Sequence, residues 1–292
     1  MPDFDIGDEP AGPRVAVNTA EDFVASDIKG SEHYEWGMKA RLASLFSRGS
    51  GNVVMAAFDH GYMLGPIPGM ERVDHAVAPL LDHVDVLMAT RGVLRTWVRP
   101  DTGKAIVLRC SAGSTVLSED VSRETITTDI VDALRLNVAC VAVQVYLGSD
   151  NETASLANLS RAINDGMRYG MPVLGVVAVG REMERTSRFF RLATRVIAEM
   201  GAQVIKTYYC EDFDSVVGSC PVPLVVAGGK KVPEREALQL VADAMGCGAH
   251  GVDMGRNIFQ AEHPGQMARA ISAIVHDGVS ATDAYELYAA AS

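Results

Sequence analysis

Eight short runs of apolar, often β-branched residues recur along the chain, and amphipathic stretches separate most of them. The runs are VVMAAF (53–58), VDVLMA (84–89), AIVLRC (105–110), VACVAVQVY (138–146), PVLGVVAV (172–179), AQVIKT (202–207), PLVVAG (223–228) and HGVDMG (250–255). The clearest spacers are RETITTDIVDALRLN (123–137), NETASLANLSRAINDGMRYG (151–170) and VPEREALQLVADAMGCG (232–248), with apolar residues at helical spacing. A strand that is apolar on both faces cannot border water. Alternation of such strands with helices therefore implies a parallel sheet covered by helices. Eight units match, in number and length, the α/β fold in which the sheet closes on itself as a single (β/α)8 TIM barrel. An open doubly wound sheet would normally carry G-x-G-x-x-G after its first strand, whereas this chain has FDHGYMLGPIPG there.

No Gly/Ser/Pro linker interrupts the series, so one catalytic barrel domain is expected over residues 31–292. Residues 1–30 read as an N-terminal arm, opening with the acidic, Pro- and Gly-containing MPDFDIGDEPAGPR. WGMKARLASLFS (36–47) predicts a helix covering one end of the fold, and ATDAYELYAAAS a short extra helix at the chain's end. The chain has 292 residues, 48% of them hydrophobic, enough for a full core. No apolar run reaches the ~20 uncharged residues of a membrane span. The N-terminus also lacks the basic and apolar regions of a secretory signal, so a cytoplasmic location is expected. Five scattered cysteines with no C-x-x-C pair fit reduced thiols better than a disulfide framework or zinc site. His75, His83 and His250 lack ligand spacing, and no metal is expected. A net charge of −11 argues against nucleic acid but allows a small anion held by a local cluster of donors.

Active sites of this barrel lie at the C-terminal ends of its strands, and the unusual polar residues of this chain follow the apolar runs. The first run ends in Asp59-His60-Gly61, either a turn or an acid–base pair. The second ends in Thr90-Arg91-Gly92 and the third in Arg109-Cys110-Ser111, where an arginine can be a structural ion pair. The fourth ends in QVYLGS, whose Tyr146 either packs its ring or supplies a proton to a reacting carbonyl. Lys206 sits inside the sixth run, the only lysine of the chain inside an apolar strand run. Its long stem would allow the amine to reach the barrel rim. Alternatively, burial disfavours the ammonium form and leaves a neutral amine able to form an imine with a carbonyl substrate.

The last two strands point to an anion. VVAGGKKVPEREAL places Gly228-Gly229 and two lysines before a helix, and GVDMGRNIF places Gly255-Arg256-Asn257 after the eighth strand. Glycines let backbone N–H groups approach an anion closely, and Arg256 can add a bidentate contact to phosphate oxygens. Loops after the seventh and eighth strands are where phosphate commonly binds in such barrels.

AFDHGYMLGPIPGMERVD, DVLMATRGVLR, VAVQVYLGS, GAQVIKTYY, CPVPLVVAGGKK and GVDMGRNIFQ together resemble the class I aldolase family that contains the archaeal-type fructose-bisphosphate aldolases. The resemblance covers about residues 28 to 290 and is nearest to the CoA-dependent thiolase branch. It implies that Lys206 holds the imine-forming position, that Asp59, His60 and Tyr146 transfer protons, and that Gly228, Gly229, Gly255 and Arg256 bind a substrate phosphate. It further implies acetyl transfer from 3-hydroxy-5-phosphonooxypentane-2,4-dione, an intermediate of autoinducer-2 breakdown, to coenzyme A as co-substrate. The products would be acetyl-CoA and dihydroxyacetone phosphate. A homo-oligomer, such as a decamer of stacked rings, is also implied. A Schiff-base aldolase cleaving a ketose phosphate such as fructose 1,6-bisphosphate would use the same motifs. A non-catalytic sugar-phosphate-binding barrel is the remaining alternative.

Overall fold

All eight apolar runs form strands, and the strands close. In the computed structural model, which describes residues 28–179 and 184–290, the strands in chain order are β1 (Val53–Ala57), β2 (Val86–Thr90), β3 (Ala105–Arg109), β4 (Ser111–Gly113), β5 (Glu124–Ile126), β6 (Cys140–Val145), β7 (Val173–Val177), β8 (Val204–Tyr208), β9 (Leu224–Ala227) and β10 (Gly251–Met254). Eight of them run parallel around a closed barrel in the order β1-β2-β3-β6-β7-β8-β9-β10, with β10 pairing back to β1. β4 and β5 form a separate antiparallel hairpin.

The side-chain period of two explains why these runs are apolar throughout. Val53, Met55, Ala57, Met88, Val107 and Val204 belong to one cluster inside the barrel. Their neighbours Val54, Ala56 and Leu87, and likewise Leu108 and Ile205, pack outward under the helices. The helix Trp36–Leu45 contributes Met38, Leu42 and Leu45 to the inner cluster and so covers the N-terminal end of the barrel, as its spacing predicted. That end is closed by hydrocarbon, which leaves the C-terminal ends of the strands as the place for polar side chains. The final helix Ala281–Ala289 packs against the helices Glu234–Gly246 and Pro264–Asp277 outside the barrel. No helix among the described residues is long and apolar enough to cross a membrane.

The stretch 123–137, expected as one amphipathic segment, divides. Glu124–Ile126 is strand, and only Ile130–Arg135 is helix, capped by the Asp129 carboxylate accepting from the Asp132 amide at 2.8 Å. The alternation of Glu124-Thr125-Ile126-Thr127 suits a β-ribbon better than a helix. The expected N-terminal arm, residues 1–30, lies outside the described residues except for its last three. Of these, Lys29 donates its amine to the Val217 carbonyl at 3.3 Å.

Leu42 is 1% exposed. Leu42→Ala should lower stability by about 2–5 kcal/mol in denaturant unfolding, the usual cost of a leucine removed from a packed core. A loss below ~1 kcal/mol would show that this helix is not part of the barrel's core.

Candidate active site

Above the inner hydrocarbon layer the inward-facing positions turn polar. Lys206 shares a face of β8 with Val204, so its stem continues the inner row and its amine reaches the C-terminal end of the barrel. The ammonium nitrogen lies 2.9 Å from Oδ2 of Asp253 on β10 and 3.9 Å from Sδ of Met88 on β2. The Asp253 side chain has 0% exposure and that of Lys206 only 12%. Burial pulls the lysine pKa down, but Asp253 and then Asp59 outweigh it and leave it above the ordinary lysine value. Burial alone would favour the neutral amine; the carboxylates that the strands place around Lys206 favour its ammonium form. Asp253 itself is pushed above the usual carboxylate range by burial, which Lys206 offsets only in part.

Arg109, at the end of β3, organises the other half of the site. Its Nη1 donates to Oδ2 of Asp59 at 3.0 Å. Its Nη2 faces Oε1 of Glu124 at 2.8 Å and Oε1 of Gln144 at 2.6 Å, while Nε donates to the Ser111 carbonyl at 2.8 Å. Glu124 comes from the β4–β5 hairpin and is almost wholly buried. It accepts from the hydroxyls of Ser111 at 2.6 Å, Tyr62 at 2.6 Å and Tyr146 at 3.0 Å. Gln144 in turn donates to the Tyr146 oxygen at 2.6 Å. The phenol of Tyr146 is thus fixed with its proton directed at a carboxylate, and burial together with Glu124 raises its pKa, keeping it neutral. Arg109 was expected as a structural ion pair. It is one, but the pairing is what arranges Asp59 and, through Gln144 and Glu124, Tyr146.

Asp59 and His60 behave differently although adjacent. Burial raises the Asp59 pKa, but Arg109, then His60 and Lys206, outweigh it and hold the carboxyl below its usual range. Burial lowers the His60 pKa, and Lys206, Arg256 and Arg109 add to this against the pull of Asp59, so the imidazole is neutral near pH 7. Its Nδ1 stands 3.8 Å from Asp59 Oδ1, close enough to feel the charge but too far to hydrogen-bond. The ring packs edge-on against Phe259, with centroids 5.7 Å apart. Gly255 gives it room: a Cβ there would lie 2.4 Å from His60 Cε1.

The two glycine loops meet through Asn257, which is 1% exposed. Its amide nitrogen donates to the carbonyls of Gly228 at 2.7 Å and Lys230 at 3.1 Å, and its oxygen accepts from the Val232 amide at 2.9 Å. Gly229 has φ +69°, a left-handed conformation that glycine adopts without strain. Arg256 keeps a buried Nε with no hydrogen-bond partner among the described residues. Arg91, by contrast, takes no part in the Lys206 cluster: with Arg95 it pairs with Asp132.

Asp59, Tyr146, Gly228, Gly229, Gly255 and Arg256 lie just beyond strand ends on one side of the barrel, Lys206 rises to that side from within β8, and His60 is near enough to Lys206 and Arg256 to feel both. Asp253 and Glu124 were missed. Asp253 carried a usable signal, an acid inside an apolar strand run just as Lys206 is a base inside one. Glu124 carried none, because a hairpin outside the repeating pattern delivers it. Among the described residues no group of three or more His, Cys, Asp or Glu is placed to hold a metal.

A family model described as DeoC/LacD family aldolase matches residues 53–261. The 3-hydroxy-5-phosphonooxypentane-2,4-dione thiolase of Escherichia coli (strain K12) is 48% identical over 285 residues, 97% of this chain and 98% of that protein. The protein of the same name from Photorhabdus laumondii is also 48% identical, with the same coverage of both chains. Among solved structures, an archaeal fructose 1,6-bisphosphate aldolase superposes with a TM-score of 0.76 at 24% identity, over 82% of this chain and 100% of that one. At that identity the likeness concerns the fold.

Removing Arg109 would leave Asp59 and Glu124 as buried, unpaired carboxylates. Arg109→Ala should therefore cost about 3–5 kcal/mol in denaturant unfolding, as one-sided removal from a buried ion pair does. A cost below ~1 kcal/mol would mean that the network does not hold this end of the barrel together.

Proposed function

The chain belongs to the DeoC/LacD aldolase family, and from that premise we propose that it is a CoA-dependent thiolase acting on 3-hydroxy-5-phosphonooxypentane-2,4-dione. The observation that carries the proposal is a buried lysine, Lys206, paired with Asp253 at the mouth of the barrel, in a chain with near-full-length relatives of that name. The acetyl carbonyl carbon of the dione is attacked by the CoA thiolate. The bond to the hydroxyl-bearing carbon breaks, acetyl-CoA leaves, and its electron pair must go to the neighbouring keto carbon. An iminium formed there by Lys206 accepts that pair as an enamine. Protonation of the former carbanion carbon and hydrolysis then release dihydroxyacetone phosphate.

Each proton-transfer residue has a role suited to its state. The neutral imidazole of His60 accepts the thiol proton, and the ionised Asp59 beside it stabilises the imidazolium. Tyr146, held neutral, is the acid that protonates carbon, and Glu124 holds its hydroxyl in place. The loop glycines 228, 229 and 255 offer room and N–H groups for the phosphate, and Arg256 offers the charge. CoA serves as co-substrate and is not resident. The same family likeness supports a cytoplasmic homo-oligomer, with stacked rings forming a decamer as the implied arrangement, and one catalytic barrel over residues 31–292.

Incubation with the dione, followed by mass analysis of products, tests the reading. Acetyl-CoA and dihydroxyacetone phosphate should appear only when CoA is present. CoA-independent cleavage of a ketose phosphate, with no reaction of the dione, would make the protein an aldolase instead. Lys206→Ala should fold and lose turnover. Arg256→Ala should raise KM for the dione about tenfold or more, as loss of ~1.5–3 kcal/mol from a charged hydrogen bond would, with kcat less affected. An unchanged KM would remove Arg256 from the phosphate site.

A further inference from the structure

An ammonium has no lone pair and cannot attack a carbonyl, so a resting Lys206 ammonium must first lose a proton. The groups that act on it are Asp253 on β10, Asp59 beyond β1 and Tyr208 two residues along β8; His60 at the rim feels Lys206 together with Arg256 and Arg109, and Asp253 feels Arg109 as well. Among the described residues only two atoms lie within hydrogen-bonding reach of its nitrogen, Asp253 Oδ2 and the Met88 thioether, and a thioether does not accept a proton in water. Asp59 is already engaged, with Oδ2 taking the Arg109 guanidinium and Oδ1 facing His60. Asp253 is not: both of its oxygens are buried without a hydrogen-bond partner among the described residues, and Oδ2 meets Lys206 only as an ion pair at 2.9 Å. A carboxylate oxygen left bare inside a barrel is costly.

We propose that Asp253 is a catalytic residue, the base that takes a proton from the Lys206 ammonium and later returns it to the oxygen that leaves the substrate. The proposal rests on the imine step of the reading above. The proton moves from Nζ to Oδ2, turning two buried charges into a neutral amine and a neutral acid. The amine lone pair then forms the C–N bond while the carbonyl π pair moves to oxygen. Asp253 gives its proton to that oxygen, takes one from nitrogen, and returns it as water leaves. The sum balances: ketone plus Lys-NH3+ gives the protonated imine plus H2O, and Asp253 ends as it began. Substrate binding favours the first transfer, because expelling water from the site penalises a charged pair more than a neutral one.

The test is reductive trapping of the holoprotein chain with borohydride and dihydroxyacetone phosphate, a ketone that needs no CoA. The readout is the mass added at Lys206, with Lys206→Ala as the blank. Asp253→Asn keeps the shape and still accepts a hydrogen bond from Lys206, but cannot take a proton. Its trapping should slow by about 10²-fold or more near pH 7, the usual contribution of a positioned base. The rate should climb with pH as hydroxide replaces the missing base. If Asp253 merely held Lys206 in place, or only fixed its charge, the asparagine variant would trap at the wild-type rate or faster, and the proposal would fall. Should the variant fold poorly, formate added to Asp253→Ala should restore trapping, and no restoration in a folded Asp253→Ala would overturn the assignment. Wild-type protein that makes acetyl-CoA yet gives no adduct would overturn the proposal and leave the thiolase reading standing. An adduct that forms with the expected Asp253 dependence, without any acetyl transfer, would sustain the proposal and sink the thiolase.

Discussion

Charge balance at the mouth of the barrel is the constraint on which the rest of the site depends. Lys206 and Arg109 place two cations out of water, and Asp59, Glu124 and Asp253 surround them. An unpaired buried charge would cost several kcal/mol, comparable with the whole stability of a domain. The cations and carboxylates therefore have to arrive together, and they come from β1, β3, the β4–β5 hairpin, β8 and β10. Any distortion that moved one of these elements would strand a charge. Closing the N-terminal end with Met38, Leu42 and Leu45 confines this polar layer to the other end.

The carboxylates favour the ammonium form of Lys206, and their surroundings push them apart in acidity, Asp59 down beside Arg109 and Asp253 up in its apolar seat. Two carboxylates near one buried amine thus differ in acidity for the same reason that paired acids in other active sites do: environment separates them. Tyr146 and His60 complete a set in which an acid, a base and a cation are present before any substrate arrives.

The loops proposed to hold phosphate are tied together with equal economy. Asn257 ties the loop after β9 to the short helix after β10, so the two glycine turns cannot drift apart. Gly255 serves a second purpose that its place in a phosphate motif did not suggest, since its missing side chain is what lets the His60 ring lie against Phe259. On the proposed reading, phosphate binding and proton transfer meet at this one backbone position.

The barrel was legible because its signal is periodic and local. Eight runs apolar on both faces, set between helical stretches, have few other ways to hide their surfaces. Asp59, His60, Tyr146 and the glycine loops could be nominated because the fold assigns strand ends to chemistry, and Lys206 because it is a base inside an apolar run. Asp253 was in plain view, unread, in the same kind of apolar run as Lys206. What the sequence by itself determined was the architecture and the rim positions at which chemistry could occur. The tertiary structure alone decided that Asp253 is the partner that favours the ammonium form of Lys206 and that Glu124 holds Tyr146. The reason is physical. Hydrophobic periodicity is set by residues a few positions apart, whereas the protonation of a buried group is set by charges within a few ångströms, and here those come from strands far apart in the chain.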